Sequence, residues 1–169
     1  MALKFHNPFV FNHMRLDKKI AFTLIKQKKT LALAESCTGG LLGHTLTNLP
    51  GASQFLYLGL IAYDNSAKIK LLGIPPALIN KHGAVSAEIA RKMAINVRKL
   101  LKTDLGLSIT GIAGPSGGTA AKPVGLVFIA LSSSKKDLVK SFHFKGTRLS
   151  IKNQAVQAAL KSLLSIVSP

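Results

Sequence analysis

Two short apolar, β-prone runs, residues 30–35 (TLALAE) and 55–63 (FLYLGLIAY), flank a helix-length stretch that opens on Ser36-Cys37-Thr38-Gly39-Gly40 and closes before Pro50-Gly51. Strand, turn, helix and strand in that little space form a βαβ unit. A crossover through a helix brings the chain back in the same direction, so the two strands are predicted to be parallel with their C-terminal ends on one edge. The second run is apolar almost throughout, which predicts cover on both faces.

Periodicity supplies the remaining elements. Leu16, Ile20 and Leu24 recur at helical spacing and predict a first helix over about 15–28. Short helices are expected over about 66–72 and 76–81. Ser86 is placed to cap a long helix whose inner stripe is Ile89, Met93, Val97 and Leu100. Residues 105–110 (LGLSIT) read as a third strand, and residues 124–131 and 138–144 as a hairpin around a polar joint at 132–136. A last helix over about 148–167 buries Ile151, Ala155, Ala159, Leu163 and Ile166. The predicted fold class is α/β, a three-layer α/β/α sandwich with a mixed, mostly parallel sheet of about five strands. One domain is expected over residues 1–169, with 1–14 a ragged N-terminal extension.

Composition narrows the classes. Apolar residues make up 47% and charged residues 17%, a packed chain rather than a disordered one. Apolar stretches are broken within about ten residues by Gly, Asp or Lys, short of a bilayer span, so no membrane partner is expected and the location is predicted to be cytoplasmic. The single cysteine, Cys37, excludes an internal disulfide, and with no second Cys or close His pair neither a metal nor any other cofactor is expected. The formal charge of +17 is spread over both ends and the middle of the chain, and only two Tyr and no Trp accompany it. That pattern argues against a specific nucleic-acid interface and for a basic solvated surface.

In an open α/β sheet, ligands sit beyond the carboxyl ends of the strands. Three polar clusters are predicted to meet there: Ser36 to Gly40, then Tyr63-Asp64-Asn65-Ser66-Ala67-Lys68, then Thr110-Gly111 with the loop that includes Gly114. The glycine loop is neither a Walker A nor a dinucleotide fingerprint, because the closing Lys-Ser/Thr and the G-x-G-x-x-G spacing are missing. Ser133-Ser134-Lys135-Lys136 matches S-x-x-K but falls in a hairpin turn, where the lysine is not held one helical turn from the serine. Cys37 has no histidine in these clusters to activate it and reads as a buried or turn cysteine.

The motifs AESCTGG (34–40), PGAS (50–53), AYDNSAK (62–68), HGAVS (82–86) and TGIAGPSGG (110–118) resemble the CinA C-terminal-domain family, the nicotinamide-mononucleotide amidases. The resemblance covers about residues 28–165. It implies hydrolysis of the nicotinamide mononucleotide amide to nicotinic acid mononucleotide and ammonia, in pyridine nucleotide salvage, without a metal. It further implies a free-standing amidase without the pterin-cofactor-like domain of fused members, and a homo-oligomer, dimer or higher. By the same resemblance Ser36 is the nucleophile, Lys68 its base, and Tyr63 the residue that holds the lysine or relays a proton. Chemistry agrees, since a serine hydroxyl needs a base and a lysine in a dry pocket can be one.

Backbone N–H groups at Thr38-Gly39 or Thr110-Gly111 are candidates for an oxyanion hole, and Gly40, Ser53, Asn65, Gly114 and Arg148 for substrate binding, Arg148 at the phosphate. Ser53 is also a rival nucleophile, although a strand rise of about 3.3 Å per residue puts it roughly 30 Å from Tyr63. Two features depart from the family pattern: the loop ends Ser116-Gly117-Gly118, and Thr147 stands where an acidic residue is usual, between Gly146 and Arg148. Against the amidase stand two competitors, a competence-associated nucleic-acid module and an inactive nucleotide-binding or scaffolding domain.

Overall fold

The computed structural model describes residues 14–167; all but the last residue of the extension expected over 1–14 lies outside them. Helix α1 (Leu16–Lys26) leads into β1 (Leu31–Glu35), α2 (Leu41–Thr47), a 3₁₀ turn (Ala52–Gln54) and β2 (Leu56–Ile61). Three helices follow: α3 (Asn65–Lys70), α4 (Pro76–His82) and α5 (Ala87–Leu100). The chain closes with β3 (Leu105–Gly111), β4 (Leu126–Ser133), β5 (Asp137–His143) and α6 (Arg148–Val167).

The five strands form one sheet in the order β2-β1-β3-β4-β5. β1 runs parallel to β2 and to β3, whereas β3–β4 and β4–β5 are antiparallel. The sheet is therefore mixed in equal parts rather than mostly parallel, because the hairpin contributes two antiparallel pairs. Helices cover both faces. Ile20, Leu24, Leu42, Leu46, Ile151 and Leu163 pack with Leu33 and Leu107 on one face. Ile74, Ile79, Ile89 and Met93 pack with Ala32 and Ala34 on the other. Strand β1 is buried at every position, as a central strand between helical layers must be.

Three expectations fail for reasons of position. β2 is an edge strand whose residues alternate between half-buried and exposed, so its apolar run does not mean cover on both faces; Tyr57 and Ile61 are exposed. The inner stripe of α5 ends at Val97, and Leu100 is exposed because the helix leaves the sheet there. The β4 strand starts two residues late, since Gly125, at φ +94°, turns the chain before it.

Elsewhere local chemistry explains the boundaries. The Ser86 hydroxyl accepts from the Ile89 N–H at 3.3 Å and starts α5. Gly106 lets α5 lie directly on β3, because a Cβ there would collide with the Ala94 carbonyl. Among the described residues no helix is long and apolar enough to cross a membrane.

Candidate active site

The sheet edge at the C-terminal ends of β1 and β3 carries the chemistry. The Ser36 N–H donates to the Ile109 carbonyl at 2.9 Å, extending the parallel pairing by one residue before the chain turns. The Gly39 N–H then donates to the Ser36 carbonyl at 3.0 Å, and Gly39 and Gly40 take φ of +61° and +91°, which L side chains rarely adopt. Glu35, 2% exposed, folds its carboxylate under this turn. One oxygen accepts from the N–H groups of Gly40 and Leu42, both at 3.1 Å, and the other from Gly43 at 2.8 Å. The carboxylate satisfies three orphan donors at the start of α2 and holds Ser36 from below. Sequence reasoning missed Glu35. Its signal was an acid at the end of an otherwise apolar buried strand.

Lys68 reaches the serine from α3. The Asp64 carboxylate accepts from the Ser66 N–H at 2.8 Å and caps that helix, so Lys68 falls one turn in and points back at the sheet. Bonding to the Ser66 hydroxyl and N–H keeps the Asp64 carboxyl below the ordinary carboxylate range. The Lys68 side chain is 1% exposed. Its Nζ lies 3.3 Å from Ser36 Oγ and donates to the carbonyls of Ala62 (2.9 Å) and Tyr63 (3.0 Å). Burial pushes its pKa below the usual 10.5, and the opposing pull of Asp64 does not cancel that.

Tyr63 holds the lysine through its main chain, not its phenol. The exposed ring turns the other way, and its hydroxyl accepts from Arg148 Nη2 at 2.7 Å. Arg148 Nη1 donates to the Gly114 carbonyl at 2.6 Å. One guanidinium at the start of α6 thus joins the second and third clusters, and its orientation is fixed without the acid that Thr147 replaces.

The other expected residues divide sharply. Thr38 is fully buried; among the described residues its hydroxyl has no hydrogen-bond partner and no backbone acceptor takes its N–H or that of Cys37, the latter bonding its own thiol. Gly39 and Gly40 are spent, on the Ser36 carbonyl and on Glu35, so their N–H groups are not oxyanion donors. The Thr110 hydroxyl is tied to the Ala84 carbonyl at 2.9 Å, and Gly111 lies against β4, where a Cβ would come within 2.7 Å of the Leu126 carbonyl oxygen. Asn65 opens α3 and is exposed.

Ser53 is exposed in the 3₁₀ turn that precedes β2, beside the start of β1, where the Leu31 N–H meets the Phe55 carbonyl. The length of β2, about 20 Å at 3.3 Å per residue, separates it from this edge. The Cys37 thiol is pushed up to about 12, chiefly by burial, and is not a thiolate near neutral pH. Among the described residues no group of three or more His, Cys, Asp or Glu is placed to hold a metal ion. A groove of about 940 Å³ between β5 and α6, lined by Phe142, Phe144 and Leu149 among others, contains neither Ser36 nor Lys68.

Comparison with known proteins shows the family to which the chain is similar. The family model for the CinA C-terminal domain matches residues 13–167. A CinA-like protein of Syntrophus aciditrophicus is 49% identical over 156 residues, covering 92% of this chain and 37% of its own length. A CinA-like protein of Nostoc punctiforme is also 49% identical over 156 residues, with 90% and 37% covered. The chain spans a little over a third of the length of these curated relatives.

Solved structures align over nearly their whole length. The competence/damage inducible protein CihA of Agrobacterium tumefaciens is 32% identical with a TM-score of 0.87, covering 98% of this chain and 99% of that one. A competence-damaged protein (CinA) superfamily protein of Enterobacter cloacae is 31% identical at the same TM-score, with 99% of each chain covered.

Proposed function

The chain belongs to the CinA C-terminal-domain family, and from that premise we propose that it is an amidohydrolase acting on nicotinamide mononucleotide, releasing ammonia and nicotinic acid mononucleotide. The observation that carries the reading is the hydrogen bonding of Lys68. A neutral amine has two N–H donors and one lone pair. Two main-chain carbonyls take the donors, and the third neighbour is Ser36 Oγ at 3.3 Å. The lone pair therefore faces the serine hydroxyl, and the dry surroundings that lower the pKa favour the neutral form.

In this reaction the Ser36 hydroxyl gives its proton to Lys68 as Oγ bonds to the amide carbon. The carbonyl oxygen becomes an oxyanion. The N–H of Thr38, which donates to no backbone acceptor among the described residues, and that of Cys37, the residue directly after the nucleophile and so a common source of such a donor, are assigned to it. Lys68 returns the proton to the departing nitrogen, the C–N bond breaks, and ammonia leaves an ester on Ser36. A water then gives a proton to Lys68, its oxygen bonds to the acyl carbon, and the serine leaves with that proton.

Arg148 is assigned to the substrate phosphate. Two of its donors are held by Tyr63 and Gly114, and the rest of the fork remains for an anion. Arg148→Ala is expected to raise KM for the mononucleotide about tenfold or more while changing kcat little. An unchanged KM removes the assignment. Ammonia release from nicotinamide mononucleotide by the purified chain tests the activity itself, and no release at any pH between 6 and about 10 rejects the reading.

A further inference from the structure

Lys152 belongs to the same edge but to none of the motifs, and the reaction above does not use it. It lies one turn along α6 from Arg148, and i, i+4 spacing sets both side chains on one face of the helix. Its Nζ stands 3.6 Å from where a Cβ on Gly39 would be, so the ammonium overhangs the turn that carries Ser36. Among the described residues it has neither a hydrogen bond nor an ion pair; the pairs present are Arg15–Asp17 and His82–Glu88.

The arrangement is unfavourable by itself. Like charges at i, i+4 repel, the start of a helix favours anions over cations, and the first turn of α6 contains no acid to offset Arg148. Both cations lie close enough to the turn to pull the Cys37 thiol downward against its burial. An anion seated between them would relieve every one of these terms, and the Ser36–Gly39 turn is tight enough, under about 7 Å between its end Cα atoms, for one small ligand to touch serine and cations together.

We propose that Lys152 pairs with Arg148 around a phosphomonoester and is the residue by which the site selects phosphorylated over unphosphorylated ligands. Lys152 contributes three donors, none of them spent among the described residues, and a point charge on a flexible stem beside the fixed fork of Arg148. The inference takes the phosphate's carrier, a pyridine mononucleotide, from the amidase reading; the anion site itself stands on the two cations.

Calorimetric titration of the whole chain with nicotinic acid mononucleotide, nicotinic acid riboside and inorganic phosphate tests it, in wild type, Lys152→Met and Lys152→Arg. The mononucleotide is expected to bind about 10–100-fold more weakly to the Met variant and within about threefold of wild type to the Arg variant, with riboside affinity unchanged. Phosphate should compete with the mononucleotide in wild type and lose about tenfold in the Met variant. Equal affinity of wild type for mononucleotide and riboside, or an equal loss of both in the Met variant, overturns the proposal.

Ammonia release is measured on the same samples. Lys152-dependent phosphate binding without ammonia sinks the amidase reading and leaves the anion site standing. Ammonia release with the same KM in wild type and Lys152→Met does the reverse.

Discussion

Ser36→Ala and Lys68→Ala are each expected to lower kcat by about 10³-fold or more, and the double variant to be hardly worse than either. The two side chains act on one proton in one step, so removing the second takes away nothing that the first had left. Lys68→Arg should fail nearly as badly, because a guanidinium keeps its charge and cannot accept the serine proton. Rates measured against pH carry the same information. Activity requires neutral Lys68, and burial places its pKa below 10.5, so kcat/KM should rise with pH and level off before that value.

Stability has the same sign. The unfolded chain holds more protons than the folded one between the lowered pKa and 10.5, so the cost of burying the ammonium, full below that window, is relieved as pH rises through it. Independent, multiplicative losses in the double variant, or full activity in Lys68→Arg, would dissolve the pair.

Glu35→Gln is expected to cost about 2–3 kcal/mol of folding stability, although it changes one atom. The carboxylate accepts three N–H bonds with two oxygens in a site that is 2% exposed. An amide keeps one acceptor and turns an NH2 group toward donors, leaving at least one N–H of the α2 start unsatisfied. For a chain of this length that corresponds to a fall in Tm of about 5–10 °C, read by urea and thermal unfolding. Activity should fall further than stability accounts for, because the turn that loosens is the one that aims Ser36. A loss under about 0.5 kcal/mol with normal kcat would show that the backbone bonds alone hold the turn.

The sequence by itself determined the layer order and the edge at which the chemistry gathers. Period-2 and period-3.6 patterns are local, and a βαβ crossover leaves one handed, parallel way to close, so Ser36, Lys68 and the loop at Gly114 had to meet at one sheet edge while Ser53 fell beside the start of β1. Boundaries were legible where a single side chain sets them, as at Ser86.

Tertiary structure alone decided which of the converging groups remain available. The Thr110 hydroxyl is spent on Ala84 and Gly111 lies close against β4, contacts that a string of letters does not show. Gly39 and Gly40 are consumed by the turn and by Glu35, while among the described residues no backbone acceptor takes the N–H of Thr38. The exposure of Tyr57 and Ile61 likewise followed from the place of β2 at the sheet's edge, which no run of apolar residues encodes. Periodicity records which face of an element is apolar, whereas the spare valence of a polar group depends on what the rest of the fold brings within 3 Å of it, and those partners come from residues as distant in sequence as Ser36 and Lys68 or Tyr63 and Arg148.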